Sequence, residues 1–186
     1  MMKKSVLVLL AEGFEEMEAV ISVDILRRAG IEVAMAALTE DLLVKGSRGI
    51  LIKADIFLEN YNKIPDALVL PGGVGGAERL AASAKVSELI ALCNEKKKII
   101  AAICASPAFV LPKSGILKGR KATCFPGEEQ RFGEDIIFVQ ESVVVDGNVI
   151  TSRGPGTAFD FALTVAEALV GKDVVMAVKE KALIKI

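Results

Sequence analysis

Four short, almost unbroken apolar runs limit what this chain can fold into. They are "SVLVLLA" (5–11), "IEVAMAAL" (31–38), "DALVLPGG" (66–73) and "KIIAAIC" (98–104). Successive side chains of a strand point to opposite faces, so a strand that is apolar throughout must be covered on both. Between the first two runs, "EGFEEMEAVISVDILRRAG" reads as a helix closing at Gly30, with Arg27 and Arg28 in its last turn. A second helix is expected from about Ser83 to Glu95, between the third and fourth runs. Strand and helix therefore alternate, which implies a doubly wound, mostly parallel sheet with helices on both faces.

The rest of the chain fits the same plan. "GILIKAD" alternates and suits a short hairpin or an edge strand. "GRKATCF" follows a short helix after residue 104. "IIFVQESVVVDGNVITS" reads as strands joined through the Asp146–Gly147 turn. "RGPGT" opens a helix, "AFDFALTVAEALVG", and "DVVMAVKEKAL" is a last short helix. With no internal repeat, linker or composition break, residues 1–186 are read as one domain.

Composition narrows the function classes. Hydrophobic residues make up 52% of the chain, with no Trp and one Tyr, so the core must be aliphatic with a few Phe. A formal net charge of -1 and the absence of a long basic run argue against nucleic-acid binding by bulk charge. No segment reaches the roughly 18 apolar residues of a membrane span. Glu12, Glu15 and Glu16 interrupt the apolar start before it resembles a signal peptide, and a cytoplasmic location is expected. Cys93, Cys104 and Cys124 have neither metal-site nor disulfide-framework spacing and are expected to be reduced thiols. The chain contains no His, which excludes His-based metal sites and any Cys–His or Ser–His pair made within it. Neither a metal nor a cofactor is expected.

Cys104 is the candidate nucleophile. It lies where an apolar strand meets a helix start, with the small residues Ala102 and Ser106 two positions either side and Pro107 in the following first turn. A strand-to-helix elbow needs small neighbours, and free N–H groups at a helix start favour thiolate. A buried structural cysteine is the alternative. For a partner, Glu18 lies within the helical arc of Phe14, Ile21 and Ile25, while Glu15 and Glu16 point elsewhere. A carboxyl in an apolar stripe has a raised pKa, and in its protonated form it can donate a hydrogen bond to a thiolate and stabilise it. Alternatively it snorkels at the helix edge. "LPGGVGG" (70–76) offers free backbone N–H groups for an oxyanion or a phosphate, or is a plain tight turn. Cys124, beside Phe125, is core filler or a resolving thiol. Cys93, late in a helix, reads as semi-exposed and incidental.

The segments "AEGFEEMEAVISVDILRRAGI", "GSRGI", "LVLPGG", "IIAAICASPAFVL" and "ITSRGPGTAFDFALTVAEALVGK" together resemble the ThiJ/PfpI superfamily, in its DJ-one branch, in order and over essentially the whole chain. The resemblance implies a flavodoxin-like sandwich that pairs as a homodimer through the first helix. Cys104 would be the reactive nucleophile, open to oxidation to sulfinate, and Glu18 its protonated partner. Backbone groups of Gly73, Ala105 and Gly72 would form the oxyanion site. Arg48 would reach the neighbouring subunit's pocket, Arg28 would support the dimer contact, and Arg153 would belong to the substrate or dimer pocket. The implied activity is glutathione-independent conversion of methylglyoxal, glyoxal or their early adducts, with a role in carbonyl and oxidative stress. The other implied reading is a redox sensor or chaperone-like protein without turnover. Members of the branch often carry His where this chain has Phe125, and protease-like relatives carry it where this chain has Ala105. Peptidase or glutaminase chemistry is therefore not expected.

Overall fold

A computed structural model describes residues 3–185. The apolar runs form β1 (Ser5–Leu10), β2 (Glu32–Ala37), β6 (Ala67–Leu70) and β7 (Ile99–Ile103). Three further strands complete a seven-stranded sheet: β5 (Ile56–Phe57), β10 (Val143–Asp146) and β11 (Val149–Ser152), in the order β10-β11-β7-β6-β1-β2-β5. Every pairing is parallel except the β10–β11 hairpin, which turns at Gly147. Two small ribbons stand apart, an antiparallel pair of β3 (Leu43–Lys45) with β4 (Leu51–Lys53) and a parallel pair of β8 (Lys121–Ala122) with β9 (Ile137–Phe138). The flavodoxin-like, doubly wound expectation holds.

Side-chain alternation sorts the core into two layers. Val6, Val8 and Leu10 of β1 face α1 (Glu16–Arg28), α5 (Ala158–Val170) and α6 (Lys172–Lys181). Leu7 and Leu9 face α2 (Val74–Ala82), α3 (Ala84–Glu95) and α4 (Ser106–Phe109). β7 does the same: Ala101 and Ile103 go to the first layer, Ile100 and Ala102 to the second. Each fully buried Leu or Ile contributes about 1.5–3 kcal/mol relative to exposure, so both layers are needed.

The sequence reading missed one helix, α2, because "GGVGG" reads as a turn. Gly73, with φ of 80°, caps it, and Gly75 and Gly76 lie inside it. Gly76 is there for space: a Cβ would lie 2.8 Å from Phe14 Cα. The first helix also starts later than expected, at Glu16, because residues 11–14 make a tight turn in which Phe14 N–H donates to the Ala11 carbonyl at 3.0 Å. On α1, Met17 and Val20 are 52% and 49% exposed, so Val20 lies outside the buried stripe. No helix among the described residues is long and apolar enough to cross a membrane.

Candidate functional site

The sheet reverses its strand order at β1, with β2 on one side and β6 on the other. In such sheets the carboxyl ends of the strands beside the reversal leave a crevice. Three turns meet there: residues 11–15 after β1, residues 71–73 after β6, and Cys104 after β7. Glu15 N–H donates to the Gly72 carbonyl at 2.9 Å, tying the first two together. Ser106 Oγ donates to the Pro71 carbonyl, tying the second to the third.

Cys104 has φ of 65°, the left-handed region that side chains other than glycine avoid. Its backbone is held there from both sides. Its N–H donates to the Ser152 carbonyl at 3.0 Å and its C=O accepts from Phe125 N–H at 2.8 Å. The elbow expected from "AICAS" is therefore present. The helix after it has only four residues, so the expected dipole contribution is small. What acts on the sulfur instead is two backbone N–H groups, that of Gly73 from the turn after β6 and that of Ala105, both of which favour its ionised form.

Glu18 is 0% exposed, so snorkelling is ruled out. Its Oε2 accepts the Gly72 N–H at 2.7 Å, while Oε1 has no hydrogen-bond partner of ordinary geometry. The thiol of Cys104 is close enough to couple with this carboxyl. Burial raises the Glu18 pKa to about 8, against the opposing pull of the Gly72 N–H and the thiol. Burial, then the negative charge of Glu18, pushes Cys104 up to about 12, and the Gly73 and Ala105 N–H groups act the other way. Net stabilisation of thiolate, expected from the elbow alone, is thus overridden by burial. Part of the opposition vanishes when Glu18 is protonated, because its charge is then gone. Two buried groups, one unpaired oxygen and a nearby sulfur can pass a single proton between them.

Gly72 is the hinge of this arrangement. A Cβ on it would run into Cys104 Cβ and lie 2.8 Å from Glu18 Oε2. Its N–H is committed to Glu18, so of the three expected backbone groups only Gly73 and Ala105 act on the sulfur.

The arginines are not gathered here. Arg28 lies ten residues along α1 from Glu18, about 15 Å at 1.5 Å per residue, and pairs with Asp24 at 2.6 Å on the exposed face. It is outside this chain's thiol pocket. Arg48 is exposed, in a loop after β3. Arg153 follows β11, is half-buried and leaves Nη1 buried without a partner; its charge acts on Cys124.

Sequence reasoning missed the work of Glu15 and Glu16, both buried. Glu15 caps α1, its Oε2 accepting the Glu18 N–H at 2.8 Å. Glu16 anchors the Arg48 loop: Oε1 accepts from Arg48 N–H at 2.6 Å and Ile50 N–H at 3.3 Å, and Oε2 accepts from Ser47 Oγ at 3.1 Å. Burial acts to raise the Glu16 pKa, but these donors outweigh it and hold the carboxyl below its usual range. The signal was four carboxyl-rich positions, 12 to 18, at one helix start, more than solubility needs.

The other thiols are set apart. Cys104 is 8% exposed, whereas Cys93 and Cys124 are both 0%. Cys93 is therefore not semi-exposed: it packs against the second core layer through α3. Cys124 joins that same layer, across the sheet from Cys104, which suits filler and not a resolving thiol. Burial pushes Cys93 up to about 11 and Cys124 up to about 12. A groove of about 710 Å³ on the same sheet edge, lined by Glu12, Thr39, Leu58 and Arg79, does not include Cys104. Among the described residues, no three His, Cys, Asp or Glu side chains are grouped to hold a metal ion.

Comparison with known proteins places these features in a family. The DJ-1/PfpI family profile matches residues 4–168. The chain is 44% identical over 185 residues to protein dj-1beta of Drosophila melanogaster, covering 98% of each, and the crystal structure of that protein superposes with a TM-score of 0.95 over the whole of both chains. It is 35% identical over 173 residues to the glutathione-independent glyoxalase DJR-1.2 of Caenorhabditis elegans, covering 92% of this chain and 91% of that one. Against Protein DJ-1 homolog B of Arabidopsis thaliana it is 46% identical over 169 residues but spans only 38% of that longer protein. With a family match across most of its length and close relatives over nearly all of it, the chain belongs to the DJ-1/PfpI family.

Proposed function

We propose that this protein is a cysteine-dependent glyoxalase or deglycase acting on methylglyoxal, glyoxal or their early adducts, in defence against carbonyl and oxidative stress. The observation that carries the proposal is the coupled pair: a strained, slightly exposed thiol beside a buried carboxyl with one unpaired oxygen. The name of the C. elegans relative supports the reaction class.

Cys104 sulfur bonds to the aldehyde carbon of a 2-oxoaldehyde, and the thiol proton passes through Glu18 to the new alkoxide, giving a hemithioacetal. Gly73 and Ala105 N–H groups stabilise the oxygen as it gains charge. Glu18 then takes the proton from the former aldehyde carbon and returns one to the neighbouring carbon, which leaves a thioester. Water cleaves the carbon–sulfur bond, releasing the 2-hydroxy acid and restoring the thiol. One water is consumed, and no electron donor or acceptor is needed. With Phe125 in place of the branch's His, Glu18 carries every proton step alone.

A homodimer through α1 fits the same reading. Met17, Val20, Asp24 and Arg28 recur at helical spacing along the outer side of α1, and the loop that carries Arg48 is anchored on Glu16 at the start of that helix. Arg48 is then available to a neighbouring subunit. Lactate formation from methylglyoxal by wild type and Cys104→Ser is the test. Loss of activity in the variant is expected, and equal rates, or none in either protein, would sink the proposal.

A redox-sensing role is the second reading, favoured by one observation: of the three cysteines only Cys104 has any exposure. Mild peroxide followed by peptide mapping should oxidise Cys104 well ahead of Cys93 and Cys124.

A further inference from the structure

Phe125 adjoins the nucleophile. Its N–H donates to the Cys104 carbonyl at 2.8 Å, so the two residues are fixed side by side through the backbone. Its ring is placed by a neighbouring loop, because β8 already ends at Ala122. The ring packs on Gly154: a Cβ at that position would lie 3.3 Å from Phe125 Cδ2. Gly154 lies two residues beyond Ser152, whose carbonyl takes the Cys104 N–H at 3.0 Å. Packed on one edge and tied at its backbone, the ring still has 43% exposure. A preorganised, half-exposed aromatic surface next to a thiol is a recognition element for a flat apolar group. It offers nothing to a hydrogen-bonding one.

We infer that Phe125 sets the specificity of the thiol site, which favours α-carbonyl electrophiles carrying an aromatic ring over those carrying hydrogen or methyl. The inference rests on the glyoxalase reading only for its natural substrates, which are then aryl or similarly bulky 2-oxoaldehydes. The preference itself belongs to the binding step.

Alkylation of Cys104 tests it without turnover. The probes are 2-bromoacetophenone and bromoacetone: in each, sulfur bonds to the bromomethyl carbon, bromide leaves, and the thiol proton goes to solvent. Second-order rates at Cys104, read by intact mass and peptide mapping, are divided by the rates with glutathione to remove intrinsic reactivity. The aromatic probe should win by about three- to tenfold, the span of an aromatic contact. Phe125→Ala should bring that ratio close to one, and Phe125→Leu should leave an intermediate value. No preference in wild type, or the same preference in Phe125→Ala, overturns the inference. Phenylglyoxal and methylglyoxal turnover is measured alongside. Absence of 2-hydroxy acid from both, with the alkylation preference intact, would sink the proposed function and leave Phe125 as the specificity element.

Discussion

Gly72 gives its N–H to Glu18 Oε2 at 2.7 Å, which leaves the other carboxyl oxygen to face its surroundings alone. Burial, only partly opposed by the Gly72 N–H and the Cys104 thiol, lets this carboxyl keep its proton far above the usual range, to about 8. That half-satisfied state suits Glu18 to the proton transfer proposed for it, and Glu16 is its contrast. Two residues earlier, with donors on both oxygens, Glu16 stays ionised and holds a loop.

Glu18→Gln separates the two roles of the carboxyl. The amide oxygen can still accept from Gly72, but no proton can be passed. Turnover of methylglyoxal is expected to fall by about a hundredfold or more. Alkylation of Cys104 by iodoacetamide should become faster than wild type above about pH 8, because the charge that opposes sulfur ionisation is gone. Slower alkylation throughout would contradict the coupling.

Stability should fall as pH rises through the Glu18 range. Its pKa moves from 4.5 to about 8 on folding, so between those values the folded chain holds a proton that the unfolded chain has released. The stabilisation is complete below 4.5 and is lost as pH climbs through about 8, at most about 5 kcal/mol in total. The urea midpoint of wild type should therefore drop between about pH 5 and about pH 8.5, and Glu18→Gln should flatten that slope. Identical slopes in the two proteins would remove Glu18 as the cause.

Gly76→Ala sets two effects against each other. Alanine improves helix propensity by about 1 kcal/mol. The new Cβ, however, meets Phe14 backbone at 2.8 Å and cannot be accommodated by a side-chain rotation. Overpacking costs of about 1–3 kcal/mol should win, and the variant should be less stable by chemical denaturation.

Glu16→Ala should release the Arg48 loop. Hydrogen bonds to a charged acceptor contribute about 1.5–3 kcal/mol each, and three donors lose theirs. Amide exchange at Arg48 and Ile50 should accelerate at least tenfold, while the Cys104 alkylation rate stays near wild type. Unchanged exchange would show that Ser47 N–H to the Phe14 carbonyl, at 2.8 Å, holds the loop unaided.

Phe125→His tests the missing base directly. Methylglyoxal turnover should rise, with a new inflection in the pH–rate profile near about 6.5. A profile without that inflection would show that a ring at this position cannot reach the reacting proton.

Much of this was legible in the residues. Apolar runs gave the strands, and the two-layer core followed from their alternation. Glu18 stood out because it interrupts the arc of Phe14 and Ile25, both of which are buried. What was hidden depended on close approach. "GGVGG" concealed α2, since Gly76 is dictated by Phe14, more than sixty residues earlier in the chain. The burial of Cys93 was hidden by the Lys run after it, which ends the helix without bearing on the inward face. The elevated Cys104 pKa needed the surrounding core, because sequence shows the N–H groups at a turn but not the solvent they exclude.

The left-handed backbone at Cys104 has a consequence for protein engineering. A side chain there costs about 1–2 kcal/mol that glycine would not incur, and glycine's greater freedom when unfolded returns only about 0.5–1 kcal/mol of that. A library randomised at position 104 and sorted by thermal tolerance should therefore drift to glycine. The same library sorted by thiol labelling should return cysteine. Folding and chemistry ask for different residues at this position, so thermostabilised versions of this protein are at risk of losing their reactivity first.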